Sequence, residues 1–406
     1  MADTLDGVPP SQTPSAQPPP AQPPPAQPAP GLDVDALLSD ETIRIVVCCG
    51  AGGVGKTTTA AALGLRAAER HGRRTVVLTI DPARRLAQSL GLVELDNVPR
   101  PVQGVDAPLH AMMLDMKRTF DEVVLAHTDP RRAEEIFANP FYQAMSSTFA
   151  GTQEYMAMEK LGQLRLGGQW DLIVVDTPPS RSALDFLDAP TRLGRFLDGR
   201  MLRLLLAPAR AGRRSVFTLV SASFGVFSRT VTRVLGAQLL SDLSGFIAAM
   251  DSMFGGFRER AEQTYRVLQA KETAFLVVAV PEPDALREAG YFAGRLAADR
   301  MPLAGLVLNR VATVAAPALS AEQAREGARM LAEQAERPED TATAELLRLH
   351  ARLVDQRDRQ AEVTARFQRE YPSVAVATIA AQPADVHDID GLRTIGEVLA
   401  GTTMEP

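Results

Sequence analysis

CCGAGGVGKTTTA, residues 48–60, decides the fold. It joins an apolar run, IRIVVCC (43–49), to a helical stretch, TTTAAALGLRAAERHG (57–72), with Gly72 placed to cap the helix C-terminus. A glycine-rich loop between a strand and a helix turns backbone N–H groups inward around phosphates, and the helix N-terminus adds positive potential. Gly52, Gly53, Val54, Gly55, Lys56, Thr57 and Thr58 are the expected nucleotide-binding residues. Lys56 would reach the β and γ phosphates, and the Thr57 hydroxyl would ligate Mg²⁺. Lysine occurs only four times in the chain, at 56, 117, 160 and 271, so its place at this slot is informative.

Outward from the loop, apolar and β-branched runs alternate with helical stretches. They are TVVLTI (75–80), LHAMML (109–114), DLIVVD (171–176), AFLVVAV (274–280), LAGLVLN (303–309) and SVAVATI (373–379). Continuous apolar strands linked through helices predict a mainly parallel sheet of about seven strands covered on both faces, an α/β doubly wound domain. Two carboxylates end successive strands of this pattern. Asp176 closes LIVVD at the sheet edge where ligands bind and can hold Mg²⁺ through water. Asp81 follows VVLTI and opens PARRL, a loop start that places a carboxylate near an attacking water; helix capping is the plainer use of each.

Composition bounds the remaining choices. The 406 residues, 46% hydrophobic, suffice for one large domain with an insert or for two ordinary domains. A net charge of −6 with no long basic block argues against nonspecific binding to nucleic acid. Residues 1–31 are a Pro-rich tail built on AQPPP, a solvated sequence with nothing to bury, and residues 32–406 carry the phosphate-loop domain. Cys48 and Cys49 are adjacent on a strand, point to opposite faces and cannot clasp one metal ion. The longest uncharged apolar stretch, residues 215–228, is too short to span a bilayer, and the expected location is the cytoplasm.

Two helical regions interrupt the alternation. Residues 185–272 are rich in Leu, Phe and Met, which fits either an ordinary cap on the sheet or an adaptable apolar surface for a partner. Residues 320–367 are charged and Ala-rich, the pattern of a solvated helical hairpin.

GGVGKTTTA (52–60), TIDPARRLAQSLG (79–91), GTQEYMAMEKL (151–161), DLIVVDTPPSRSALDFLDAP (171–190), FLVVAVPEPDALREA (275–289), GLVLNRV (305–311) and QPADVHDIDGL (382–392) together resemble the ArsA family. That family comprises arsenite-pump ATPases and ATPases that target tail-anchored proteins, within the deviant P-loop class that includes MinD. The resemblance implies an ATP-hydrolysing, Mg²⁺-dependent switch that works as a dimer. It implies that Asp81 orients the hydrolytic water, that Asn309 hydrogen-bonds adenine and that the loop at Pro383 closes over the base. The apolar insert corresponds in position to the family's client-binding helical subdomain, so a client protein or membrane-protein segment is an expected partner. No cysteine pair follows Asn309, so neither a zinc clasp nor thiolate-bound arsenite is expected.

Position 51 departs from the family pattern. In the deviant loop GKGGVGKT the first Lys crosses a dimer interface to the partner's nucleotide, and here that position is Ala51. A homodimer would lack two positive charges, so a heterodimer with a Lys-bearing relative is favoured. The alternative is a low-turnover, nucleotide-gated binding protein that acts as the regulatory subunit of such a pair. A DNA-partition ATPase is disfavoured by the acidic balance and the large apolar insert.

Overall fold

The computed structural model describes residues 30–81, 85–92, 95–140, 142–143, 146, 152–178, 259–334 and 337–401. The proline-rich tail up to residue 29 and most of the 185–272 insert lie outside the described residues.

Eight strands form one sheet: β1 (Ile45–Cys49), β2 (Thr75–Thr79), β3 (Arg100–Pro101), β4 (Leu109–Met113), β5 (Leu172–Asp176), β6 (Thr273–Ala279), β7 (Leu303–Val311) and β8 (Val376–Ala380). The order is β3-β4-β2-β5-β1-β6-β7-β8, parallel throughout except for the antiparallel β3–β4 edge. All seven predicted strands are present. The added β3 is two residues long and contains a proline, so it carries no period that a sequence can show, and proline is tolerated at a sheet edge.

β1 is central, and all five of its residues are buried. Ile45, Val47 and Cys49 face one layer, packed with Phe120 and Val124 of α4 (Met116–His127), Met156 and Leu161 of α6 (Thr152–Leu166), and Phe292 and Leu296 of α7 (Pro283–Ala298). Val46 and Cys48 face the other, against Ala60 and Leu63 of α2 (Lys56–His71) and Leu392 and Ile395 of α10 (Ile389–Leu399). The two cysteines thus lie on opposite faces as predicted, and burial raises both thiols, Cys49 to about 12, so neither is a thiolate at neutral pH.

Two short helices, α1 (Val34–Ser39) and α3 (Arg85–Ser89), and α5 (Pro130–Ala138) complete the N-terminal half. Gly72 ends α2 with φ +62°, and Arg73 N–H returns to Ala67 O at 3.1 Å, the left-handed stop expected of a glycine there. Residues 259–269 are helical where the chain re-enters the described structure. In the C-terminal half α8 (Ala321–Glu333) pairs with α9 (Pro338–Glu370). α9 is largely charged, yet it buries Ala344, Ala351, Val354 and Phe367, so part of it belongs to the domain core. Among the described residues no helix is long and apolar enough to cross a membrane.

Candidate active site

The strand order reverses at β1: the chain leaves it for β2 on one side of the sheet and returns to β6 on the other. A crevice opens at the carboxyl ends of the strands where such a reversal occurs. Here it is a cleft of about 1,020 Å³, lined by the whole loop from Ala51 to Thr58, by Asp81, and by Asn309 and Arg310 at the end of β7.

Loop geometry follows from its glycines. Gly50 leaves β1 at φ +148°, and a Cβ there would stand 2.1 Å from the Val278 carbonyl oxygen of β6. Gly55 holds φ +98° at the N-cap of α2. The N-cap is thus a residue with no side chain to bond the first-turn N–H groups, and this leaves them to an anion.

Lys56 is buried, 6% exposed, and its Nζ donates to Ala51 O at 2.8 Å across the loop. Burial holds its pKa below the usual lysine value, partly opposed by the charge of Asp176. The Thr57 hydroxyl donates to Asp176 Oδ2 at 2.8 Å. Asp176, the last residue of β5, is fully buried, and loss of solvation pushes its carboxyl up to about 6, against the hydrogen bonds from Thr57 and Thr79. Its Oδ1 has no hydrogen-bond partner among the described residues. A buried carboxylate beside a threonine hydroxyl, with one oxygen unsatisfied, fits the outer shell of a Mg²⁺ held by Thr57.

Asp81 lines the same cleft and is 9% exposed. Its N–H reaches Thr79 Oγ1 at 3.2 Å. Asn309 donates its side-chain amide to Val54 O at 2.8 Å and accepts Arg310 N–H at 2.9 Å, so in this structure it braces the loop. Pro383 is exposed; its neighbours Gln382 and Ala384 line the cleft, and Pro383 itself is not among the lining residues.

Sequence reasoning missed four contributors. Thr79 reaches the site only through the β2–β5 register, which sets it opposite Asp176. Arg310 sits in the left-handed region at φ +58°, where the β7–β8 register shifts between Leu308 and Val311, and it presents a cation to the cleft. Gln356 and Gln360 come from the middle of α9; Gln360 also accepts Ala312 N–H at 2.7 Å, joining the helix to the end of β7.

Residues 43–330 match the profile of the family described as "ArsA_ATPase: Anion-transporting ATPase". Among curated proteins the chain is similar to "ATPase GET3B" of Arabidopsis thaliana, 26% identical over 298 residues, which cover 69% of this chain and 67% of that protein. It is also similar to "ATPase GET3C" of the same plant, 26% identical over 277 residues, 64% of this chain and 65% of that protein. "ATPase ASNA1 homolog 1" of Paramecium tetraurelia is 25% identical over 279 residues, 68% of this chain and 77% of that protein. The loop, the paired Thr57 and Asp176 and the profile agree: the chain belongs to the anion-transporting ATPase family, ArsA_ATPase, and is an ATPase.

Proposed function

We propose that this ATPase is a nucleotide-driven dimer switch, using ATP with Mg²⁺, that couples hydrolysis to capture of a client or partner protein through the apolar sequence of residues 185–272. The observation that carries the nucleotide half is Asp176: a fully buried carboxylate with one oxygen bonded by Thr57 of the glycine-rich loop and helix and the other without a partner among the described residues. A cleft of about 1,020 Å³ accommodates a nucleotide.

In this reading Lys56 leaves the Ala51 carbonyl for the phosphates. Loop N–H groups and the α2 N-terminus hold the phosphate oxygens. Thr57, with Asp176 through water, holds the cation, which when bound spreads the charge of the β and γ phosphates. Asp81 orients the water that attacks the γ-phosphorus as the bond to the bridging oxygen breaks, giving ADP and phosphate. Asn309 and the Pro383 loop serve the adenine side.

Ala51 supports a heterodimer with a Lys-bearing relative, since a methyl group lends no charge to a neighbouring site. The same residue favours the second reading, a low-turnover regulatory subunit gated by nucleotide. The location proposed is the cytoplasm, consistent with the two buried free thiols.

The test is capture from native lysate with ATP and the Asp81→Asn chain, beside turnover by the wild type. The switch reading expects ATP-dependent capture of a defined protein and a turnover that Asp81→Asn removes. Capture that ignores nucleotide would overturn it; capture with no wild-type turnover selects the regulatory-subunit reading.

A further inference from the structure

Thr79 closes β2 and is 1% exposed. A buried threonine at a strand end is commonly filler, and valine would fill the same volume without a hydroxyl to desolvate. Here the hydroxyl both donates and accepts. It donates to Asp176 Oδ2 at 2.9 Å and accepts the backbone N–H of Asp81 at 3.2 Å. A longer contact, 3.4 Å, runs to Asp81 O, but one hydroxyl carries one hydrogen, and the shorter, charge-assisted bond to the carboxylate takes it. Thr75, at the start of the same strand, gives the contrast: its hydroxyl bonds Arg73 O two residues away and touches nothing in the cleft.

Two hydroxyls, from Thr57 and Thr79, therefore converge on Oδ2 of Asp176 and leave Oδ1 as its unpartnered oxygen. The same Thr79 oxygen anchors the backbone of the residue that opens the next loop.

We propose that Thr79 is a positioning residue of the nucleotide site, fixing the orientation of the Asp176 carboxylate for the magnesium shell and tying the start of the Asp81 loop to that carboxylate. When Thr57 turns its oxygen to the cation, Thr79 remains as the donor that holds Asp176 in place. The inference rests on the nucleotide reading above.

The experiment measures the affinity of the purified full chain for a fluorescent ADP analogue, with chelator and with Mg²⁺, for wild type, Thr79→Val and Thr79→Ser. Losing a hydrogen bond to a charged group corresponds to about tenfold or more. Thr79→Val is expected to lose about that factor from the Mg²⁺-dependent tightening while keeping the affinity seen with chelator, and Thr79→Ser is expected to restore the tightening. Full tightening in Thr79→Val overturns the proposal, as does an equal loss in Thr79→Ser, which would assign the effect to shape. Should the valine variant not fold, Thr79→Ala against Thr79→Ser makes the same comparison. A wild type that binds no nucleotide under either condition refutes the nucleotide reading itself, an outcome distinct from a variant that matches wild type.

Discussion

A Cβ built on Gly55 would stand 2.2 Å from Nδ2 of Asn309, the amide that donates to Val54 O at 2.8 Å. The end of β7 is thus packed onto the phosphate loop with no room for a methyl group. Gly55→Ala would also force an L residue to φ +98°, a strain of about 1–3 kcal/mol. The expected result is a lower Tm together with loss of nucleotide binding. Asn309→Ala relieves the clash, so the double variant should recover part of the lost Tm without recovering affinity. Calorimetry and nucleotide titration of the three variants check this.

Asp176 gives a pH dependence of definite sign. Its carboxyl rises from 3.8 to about 6 on folding without a cation, because burial penalises the ionised form. The folded chain therefore holds that proton more tightly than the unfolded chain. The resulting stability is fully present below 3.8 and is lost as the pH rises through about 6. At 1.36 kcal/mol per unit the loss is about 3 kcal/mol. Asp176→Asn keeps an oxygen acceptor for Thr57 and Thr79 and cannot ionise. Nucleotide-free denaturation midpoints across this range should show a flatter pH slope for the variant and a more stable variant at neutral pH. An identical slope in both proteins would remove Asp176 as its source.

These residues show which parts of the site a sequence can carry. The loop, Lys56, Thr57, Asp81 and Asp176 are legible because each sits at a fixed offset from a strand end, and β1, β2, β5 and β6 are legible because apolar runs buried on both faces need no alternation to be seen. Thr79 is not, since its significance arises from pairing with a strand 97 residues away. Gln356 and Gln360 read as two polar residues on a solvated helix, and only the packing of α9 beside β7 brings them to the cleft. Arg310 is invisible for another reason: a register shift near the end of β7 alters the regular alternation from which its direction would be read. β3 fails for want of length.

Lys56 should trade stability for function. It is a buried cation whose hydrogen bond among the described residues goes to a carbonyl of its own loop, and burial already lowers its pKa. Burial already disfavours the charged form, so an apolar side chain of similar length recovers that desolvation cost. Lys56→Met is therefore expected to match or exceed the wild-type Tm without nucleotide. At a ligand concentration about a hundredfold above the dissociation constant, binding stabilises the wild type by about 2.7 kcal/mol. The variant at that same ATP concentration should show almost none of this. A thermal-shift series with and without Mg·ATP reads both effects, and a variant that keeps the ATP shift would take Lys56 out of the phosphate site.

The Ala51 carbonyl accepts Lys56 Nζ at 2.8 Å while its methyl packs, half-buried, at the edge of the core. The backbone at this position serves the chain's own lysine, and the side chain offers no charge to a neighbour. If the active assembly needs a cation lent across a dimer interface, Ala51→Lys supplies one. Charges donated in trans in P-loop enzymes are worth about a thousandfold or more in rate, so even an imperfectly placed lysine should raise turnover by at least about tenfold. Purified Ala51→Lys should accordingly outpace wild type, with a rate per chain that climbs with protein concentration as dimers form. Mixing should also raise the wild type, because the variant's lysine would complete the wild-type site in a mixed pair. Adding Lys56→Met to the wild-type partner should abolish that gain, which distinguishes a completed site from simple addition of the variant's own rate. Equal rates for wild type and Ala51→Lys at every concentration would mean that no charge is missing at the interface, and the heterodimer proposal would fall.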